Sequence, residues 1–72
     1  MSTRKGVKSM KIGEKIKKLR QKAGHSQVQL SEMIGVSALT IVRAENGHFT
    51  PSLNTIRGVS RLYGISIDEL VG

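Results

Sequence analysis

From Ile12 onward, apolar residues recur at helical spacing. Ile12, Ile16, Leu19 and Ala23 fall at i, i+4, i+7 and i+11, one stripe of a helix from which Lys15, Lys18 and Lys22 point away. Gly24 ends that run. Ser26-Gln27-Val28-Gln29 has the form of a capping box, in which the serine hydroxyl accepts from the third residue's N–H while the glutamine reaches back. It predicts a short second helix, roughly Gln27 to Ile34, that buries Leu30 and Ile34. Gly35 then supplies a left-handed turn residue, Val36 tucks into the core, and Ser37 caps a third helix running to about Glu45. Asn46-Gly47 closes it, and His48-Phe49-Thr50 forms a loop. Pro51, with Thr50 or Ser52 as cap, opens a fourth helix with Leu53, Ile56, Val59, Ser60 and Tyr63 on its inward stripe. Gly64 stops that helix, and Ser66-Ile67-Asp68-Glu69 starts a terminal turn burying Ile67 and Leu70. No strand alternation and no repeat occurs, so the fold class is all-α, and its second and third helices form a helix-turn-helix.

Length and composition narrow what such a domain can do. A chain of 72 residues is one domain, and at this size only about 60% of the unfolded surface is buried, too little for a large cavity with its own catalytic machinery. The absence of cysteine excludes a disulfide framework, a cysteine-based zinc finger and a thiol nucleophile. No apolar run approaches the ~18 residues that span a bilayer, and the basic N-terminus is not followed by a signal peptide's apolar stretch. The expectation is a cytoplasmic protein without a cofactor. There is no Ser-His-Asp set, no Gly-Lys phosphate loop and no metal cluster, so an enzyme is not expected.

Charge is distributed unevenly. Of the formal +7, the first 22 residues carry Arg4, Lys5, Lys8, Lys11, Lys15, Lys17, Lys18, Arg20 and Lys22 against Glu14 alone. The remainder carries Arg43, Arg57 and Arg61 against Glu32, Glu45, Asp68 and Glu69. A concentrated positive end favours a polyanion, by counterion release from nucleic acid or by attraction to anionic lipid. Residues 1–11 show no apolar periodicity and read as a flexible basic arm, with Arg4, Lys5 and Lys8 able to follow a nucleic-acid backbone; residues 12–72 read as the folded domain.

On a helical wheel at about 100° per residue, Ile41 and Ala44 lie on one side of the third helix, and Leu39, Val42, Arg43 and Asn46 on the other. An ordinary surface helix would carry Glu and Lys on that outward face, so it is expected to meet a partner. With these residues in view, the run Ser26 to Gly47 resembles the Cro and repressor class of bacterial and phage helix-turn-helix regulators, the xenobiotic-response-element type. Gln27, Gly35 and Ile41 stand at the family's glutamine, turn glycine and recognition-helix aliphatic. Glu-Asn-Gly, Thr-Pro-Ser-Leu and the Tyr-Gly-Ile-Ser-Ile-Asp-Glu-Leu ending are also like the family, and the likeness covers about residues 12 to 71.

The resemblance implies a compact five-helix, lambda-repressor-like domain that acts as a sequence-specific double-stranded DNA-binding regulator of repressor type, its third helix in the major groove. Base contacts would come from Ala38, Leu39, Thr40, Val42 and Arg43. Arg43 suits guanine O6 and N7, or a phosphate, whereas Ala38 and Leu39 can only meet thymine methyls or exclude water. Many relatives carry polar residues there, which shifts weight to Thr40, Arg43 and DNA shape. Gln27, Ser37, Asn46, Gly47, His48 and Thr50 would face phosphate. A homodimer on a palindromic operator follows from the geometry of the class.

Glu45 sits 40° from Ile41, at the edge of the buried side, where an unpaired carboxylate is costly. The family's matching glutamate is often paired with an arginine of the first helix, so Arg20 and Glu45 are expected to form a largely buried ion pair. His25 and His48 read as loop or phosphate contacts. Gly58 reads as outward on the fourth helix, and Leu62, Leu70 and Val71 as a subunit contact. Two rival readings remain. One is a protein-interaction module, such as an antitoxin, using Leu39 and Val42; the other is attachment to a membrane surface, for which bulky apolar anchors are lacking.

Overall fold

The computed structural model describes residues 11–47 and 50–72. It contains five helices in order: α1 Ile12–Lys22, α2 Gln27–Ile34, α3 Ala38–Asn46, α4 Leu53–Tyr63 and α5 Ile67–Val71. No strand occurs among the described residues. The basic arm with Arg4, Lys5 and Lys8, and the pair His48 and Phe49, lie outside the described residues.

Serine sets four of the five helix starts. Ser26, Ser37, Ser52 and Ser66 each hold extended backbone and accept the N–H of the residue three positions on, satisfying a donor that the helix start leaves open. At α2 the Gln29 side chain also accepts the Ser26 N–H at 2.7 Å, closing the capping box. At α5 the reciprocal bond is different, because the Glu69 carboxylate accepts from the Ser66 hydroxyl at 3.3 Å. α1 lacks a side-chain cap at Lys11, and Glu14 compensates by accepting the Lys11 N–H at 3.1 Å. Between α2 and α3 the chain reverses through left-handed Gly35 (φ 76°), whose neighbour Val36 donates its N–H to the Ser31 carbonyl at 2.9 Å.

Every helix gives a side chain to one core. Ile16 of α1, Leu30 of α2, Ile41 of α3, Ile56 and Val59 of α4 and Leu70 of α5 are buried together, with Ile12, Leu19, Ile34, Val36, Tyr63, Ile65 and Ile67 packed around them. α3 lies against α1 and α2, α4 against α2 and α5, and α5 returns to α1. The Lys15 ammonium strengthens that return by donating to the Glu69 carbonyl at 2.8 Å.

Three expectations are corrected here. The inward arc of α4 is centred on Val59 and fully buried Thr55, which turns Leu53, expected inside, out to 55% exposure. The same rotation brings Gly58 inward, where a Cβ would lie 2.7 Å from the Ile34 Cβ; its lack of a side chain lets α4 approach α2. Leu70 is fully buried and is not available for a subunit contact.

Gly13, on the α1 flank turned toward α3, is buried, and a Cβ there would collide with the Ala44 carbonyl oxygen. The backbone of α3 thus rests directly on the backbone of α1. At an unhindered helix position Gly→Ala gains about 1 kcal/mol. Gly13→Ala should instead lower the melting temperature, because the obstacle is backbone rather than a flexible side chain; a melt showing stabilisation would contradict this packing.

Candidate nucleic-acid interface

α3 is held by Ile41 and Ala44, which are 0% and 3% exposed. Its other side carries Leu39 at 55% exposure, exposed Arg43, and half-buried Ala38, Thr40 and Val42. Ser37, Asn46, Gly47 and Thr50 are all exposed, the first at the N-terminus of α3 and the next two where α3 ends. The Ser37 hydroxyl is shared with the Thr40 hydroxyl at 2.8 Å while it also accepts the Thr40 N–H at 3.1 Å. Beside α3, where the chain comes back toward α4, lies an open cleft of about 320 Å³ lined by Thr40, Arg43, Ala44, Thr50, Pro51 and Ser52.

A second open groove, about 620 Å³, runs between α1 and the end of α3 and brings Lys11, Lys17, Lys18 and Gln21 beside Asn46 and Gly47. The sequence marks Lys11, Lys17 and Lys18 only as part of a general positive charge and does not single out Gln21. The signal that would have placed them is angular: Lys17 and Gln21 follow Gly13 on the wheel, hence the flank that meets α3.

The polar centre of the domain is the Glu45 carboxylate. Arg20 grips it with two bonds, Nε to Oε2 at 2.6 Å and Nη2 to Oε1 at 3.0 Å, and the two side chains are only 11% and 2% exposed. Such a fork is the strong form of the carboxylate–guanidinium pair. A third bond comes from Gln27 Nε2 to Oε1 at 3.1 Å. The Gln27 amide expected at phosphate is thus partly committed inward, while the residue still stands at the first position of α2. The remaining Arg20 nitrogen, Nη1, donates to the His25 carbonyl at 2.9 Å. The charge-assisted bond to Glu45 raises the Arg20 pKa further above its ordinary value, against the opposing effect of burial.

Half-buried His25 turns one ring nitrogen toward α4. Its Nδ1 lies 2.9 Å from the Tyr63 hydroxyl and its ring stacks on Tyr63 with centroids 5.8 Å apart. It is therefore a link between the α1–α2 connection and α4. Burial raises the Tyr63 pKa; the Arg20 charge opposes this rise and the Glu45 charge adds to it. No group of three or more metal-ligating side chains occurs among the described residues, and none of the described helices is long and apolar enough to cross a membrane.

Comparison with known proteins follows the same geometry. A helix-turn-helix family model matches residues 16–70. The chain is 32% identical over 63 residues to the HTH-type transcriptional regulator ImmR of Bacillus subtilis (strain 168), covering 88% of this chain and 50% of the relative. It is 33% identical to the immunity repressor protein of Bacillus phage phi105, covering 88% of this chain and 44% of the relative. The chain thus spans about half the length of these curated relatives, which are named as regulators and repressors rather than enzymes. Among solved structures, the P22 c2 repressor protein in complex with a synthetic operator superposes with a TM-score of 0.80 at 28% identity, covering 88% of this chain and 96% of that one. SinR, a master regulator for biofilm formation, in complex with DNA, gives a TM-score of 0.75 at 32% identity, covering 82% of this chain and 95% of that one. The fold is therefore that of the lambda- and P22-repressor-like helix-turn-helix domains.

Two stability measurements test the polar centre. Glu45→Ala leaves the Arg20 guanidinium mostly enclosed and should cost ~3–5 kcal/mol in urea unfolding; a melting temperature unchanged within about a degree would remove the ion pair from any structural role. For Tyr63, a raised folded-state pKa means that the neutral phenol is favoured by folding. Its contribution is complete below the unfolded value near 10 and declines as the pH rises through the folded value. The wild-type chain should therefore lose more stability above about pH 10 than Tyr63→Phe does.

Proposed function

The chain belongs to the Cro/repressor-type helix-turn-helix family, and on that premise we propose that it is a sequence-specific double-stranded DNA-binding transcriptional regulator of repressor type. One observation carries the reading: Ile41 and Ala44 fix α3 against the core while Leu39 and Arg43 stand exposed on its far side, between Ser37 at one end and Asn46 and Gly47 at the other. α3 enters the major groove, and Ala38, Leu39, Thr40, Val42 and Arg43 meet base edges. Arg43 donates in bidentate fashion to guanine O6 and N7.

Phosphates are taken by the N-terminus of α2 at Gln27, by Ser37, and by Asn46, Gly47, His48 and Thr50 around the α3–α4 connection. Lys11, Lys17, Lys18 and Gln21 extend that track along α1, and the arm with Arg4, Lys5 and Lys8 follows the backbone beyond it. Two copies on a palindromic operator, spaced by about one helical turn, combine the few base contacts that each small domain makes. The protein then acts inside the cell, repressing by occupying a promoter. Relatives named as repressors, and neighbours solved on operator and DNA, support this reading over a protein-only module.

Selection of bound duplexes from a random pool, followed by titration at increasing salt, tests the proposal. Affinity should fall with a log–log slope near −0.9 for each phosphate neutralised. Arg43→Ala should cost ~1–3 kcal/mol and relax preference at one base pair, whereas Lys17→Ala should weaken all duplexes alike and reduce the slope by about one. Failure to enrich any duplex, together with salt-insensitive binding to a protein through Leu39 and Val42, would favour the interaction module instead.

A further inference from the structure

We infer that the base-reading face of α3 recognises C5-methyl groups, so that thymine and 5-methylcytosine serve as equivalent ligands beneath Leu39 and Val42, next to a guanine held by Arg43. This rests on the DNA-binding reading above and names the kind of base that reading leaves open. Ala38, Leu39 and Val42 share the outward arc and carry no donor or acceptor, and Leu39 is 55% exposed with its apolar end presented to whatever α3 meets. Of the polar residues nearby, Asn46 is exposed at the far end of α3, while Thr40 is half-buried and shares a hydroxyl proton with Ser37 at 2.8 Å inside the helix cap. The cap therefore uses hydrogen-bonding capacity of Thr40 that base reading would need, and leaves the turn around Leu39 to apolar contact.

Major-groove edges differ mainly in donors and acceptors, and the C5 methyl is the one apolar feature they present. An aliphatic side chain facing adenine N6 and N7, or cytosine N4, strips water from groups that it cannot satisfy. Facing a methyl, it buries carbon against carbon. Recognition through this arc is consequently selective for the methyl and indifferent to whether the pyrimidine below it is thymine or methylated cytosine.

Helix spacing adds a positional constraint. Leu39 and Arg43 are four residues apart on one face, roughly 6 Å along the axis at 1.5 Å per residue. That distance matches about two base-pair steps of roughly 3.4 Å. The methyl-bearing pyrimidine and the guanine should fall within about two base pairs of one another.

Duplexes selected by the complete chain provide the test, each contacted thymine being replaced in turn by uracil, which removes the methyl and leaves the hydrogen-bonding edge intact. At the one or two positions under Leu39 and Val42 affinity should fall about fourfold per methyl, the change that corresponds to about 0.8 kcal/mol for a buried carbon. At those same positions, 5-methylcytosine should bind about fourfold more tightly than cytosine. Leu39→Ala, at a site 55% exposed, should erase the thymine–uracil difference at the position beneath it while any difference under Val42 and the guanine preference attributed to Arg43 persist. Uracil tolerated everywhere in a duplex that still binds would overturn the methyl inference and leave DNA binding standing. Absence of binding to any duplex would overturn the functional reading itself.

Discussion

A carboxylate enclosed by protein must be met by donors, and Glu45 forces this domain into register. Its two oxygens accept from Arg20 of α1 twice and from Gln27 of α2 once, while Glu45 itself belongs to α3. Removing such a charge from water is unfavourable unless the geometry is good and the remaining lone pairs are occupied. The three helices can satisfy that condition in one relative placement. The rotation of α3 about its own axis, which decides what its far side shows to a partner, is thereby set from behind.

Contact without side chains reinforces the same placement. Gly13 lets the α1 backbone meet the Ala44 carbonyl, and Gly58 lets α4 close on Ile34 of α2. Close packing of this kind has little tolerance, since interiors are dense and a single added carbon is felt. The ion pair chooses the angle and the glycines choose the distance. Together they hold α3 firmly from behind, with Leu39 and Arg43 exposed on its far side.

The opposite face of α3 is chemically sparse. Leu39 and Arg43 are both exposed there, one apolar and one cationic, a turn apart. Further charge comes from α1, whose Lys17 and Lys18 line, with Glu14, the groove that leads to Asn46 and Gly47. On the proposed reading, long-range attraction and base discrimination would reside on different helices. Because α1 is also the helix that grips Glu45, its lysine-bearing flank and α3 are held in a fixed relation.

Much of the architecture was legible along the chain because its determinants are local. Ser26 with Gln29, Ser37 before Ala38, and Gly35, Gly47 and Gly64 after their helices act within four residues, so reading neighbours suffices to mark where α2, α3 and α4 begin or end. The amphipathic split of α3 was equally visible, since helical period alone separates Ile41 and Ala44 from Leu39 and Arg43. The Arg20–Glu45 expectation follows from the helical angle of Glu45 and from family likeness, and the packing of α1 on α3 supplies its forked geometry. What no local rule contains is the distance between elements remote in sequence. The inward side of α4 follows Thr55 rather than Leu53 because α2 and α5 approach from that direction, and His25 turns to Tyr63 because α4 happens to pass beside it. The committed amide of Gln27 and the close approach at Gly13 likewise exist only once three helices have converged on Glu45. Periodicity and capping specify which residues form helices; mutual desolvation and steric approach decide which atoms those helices then share.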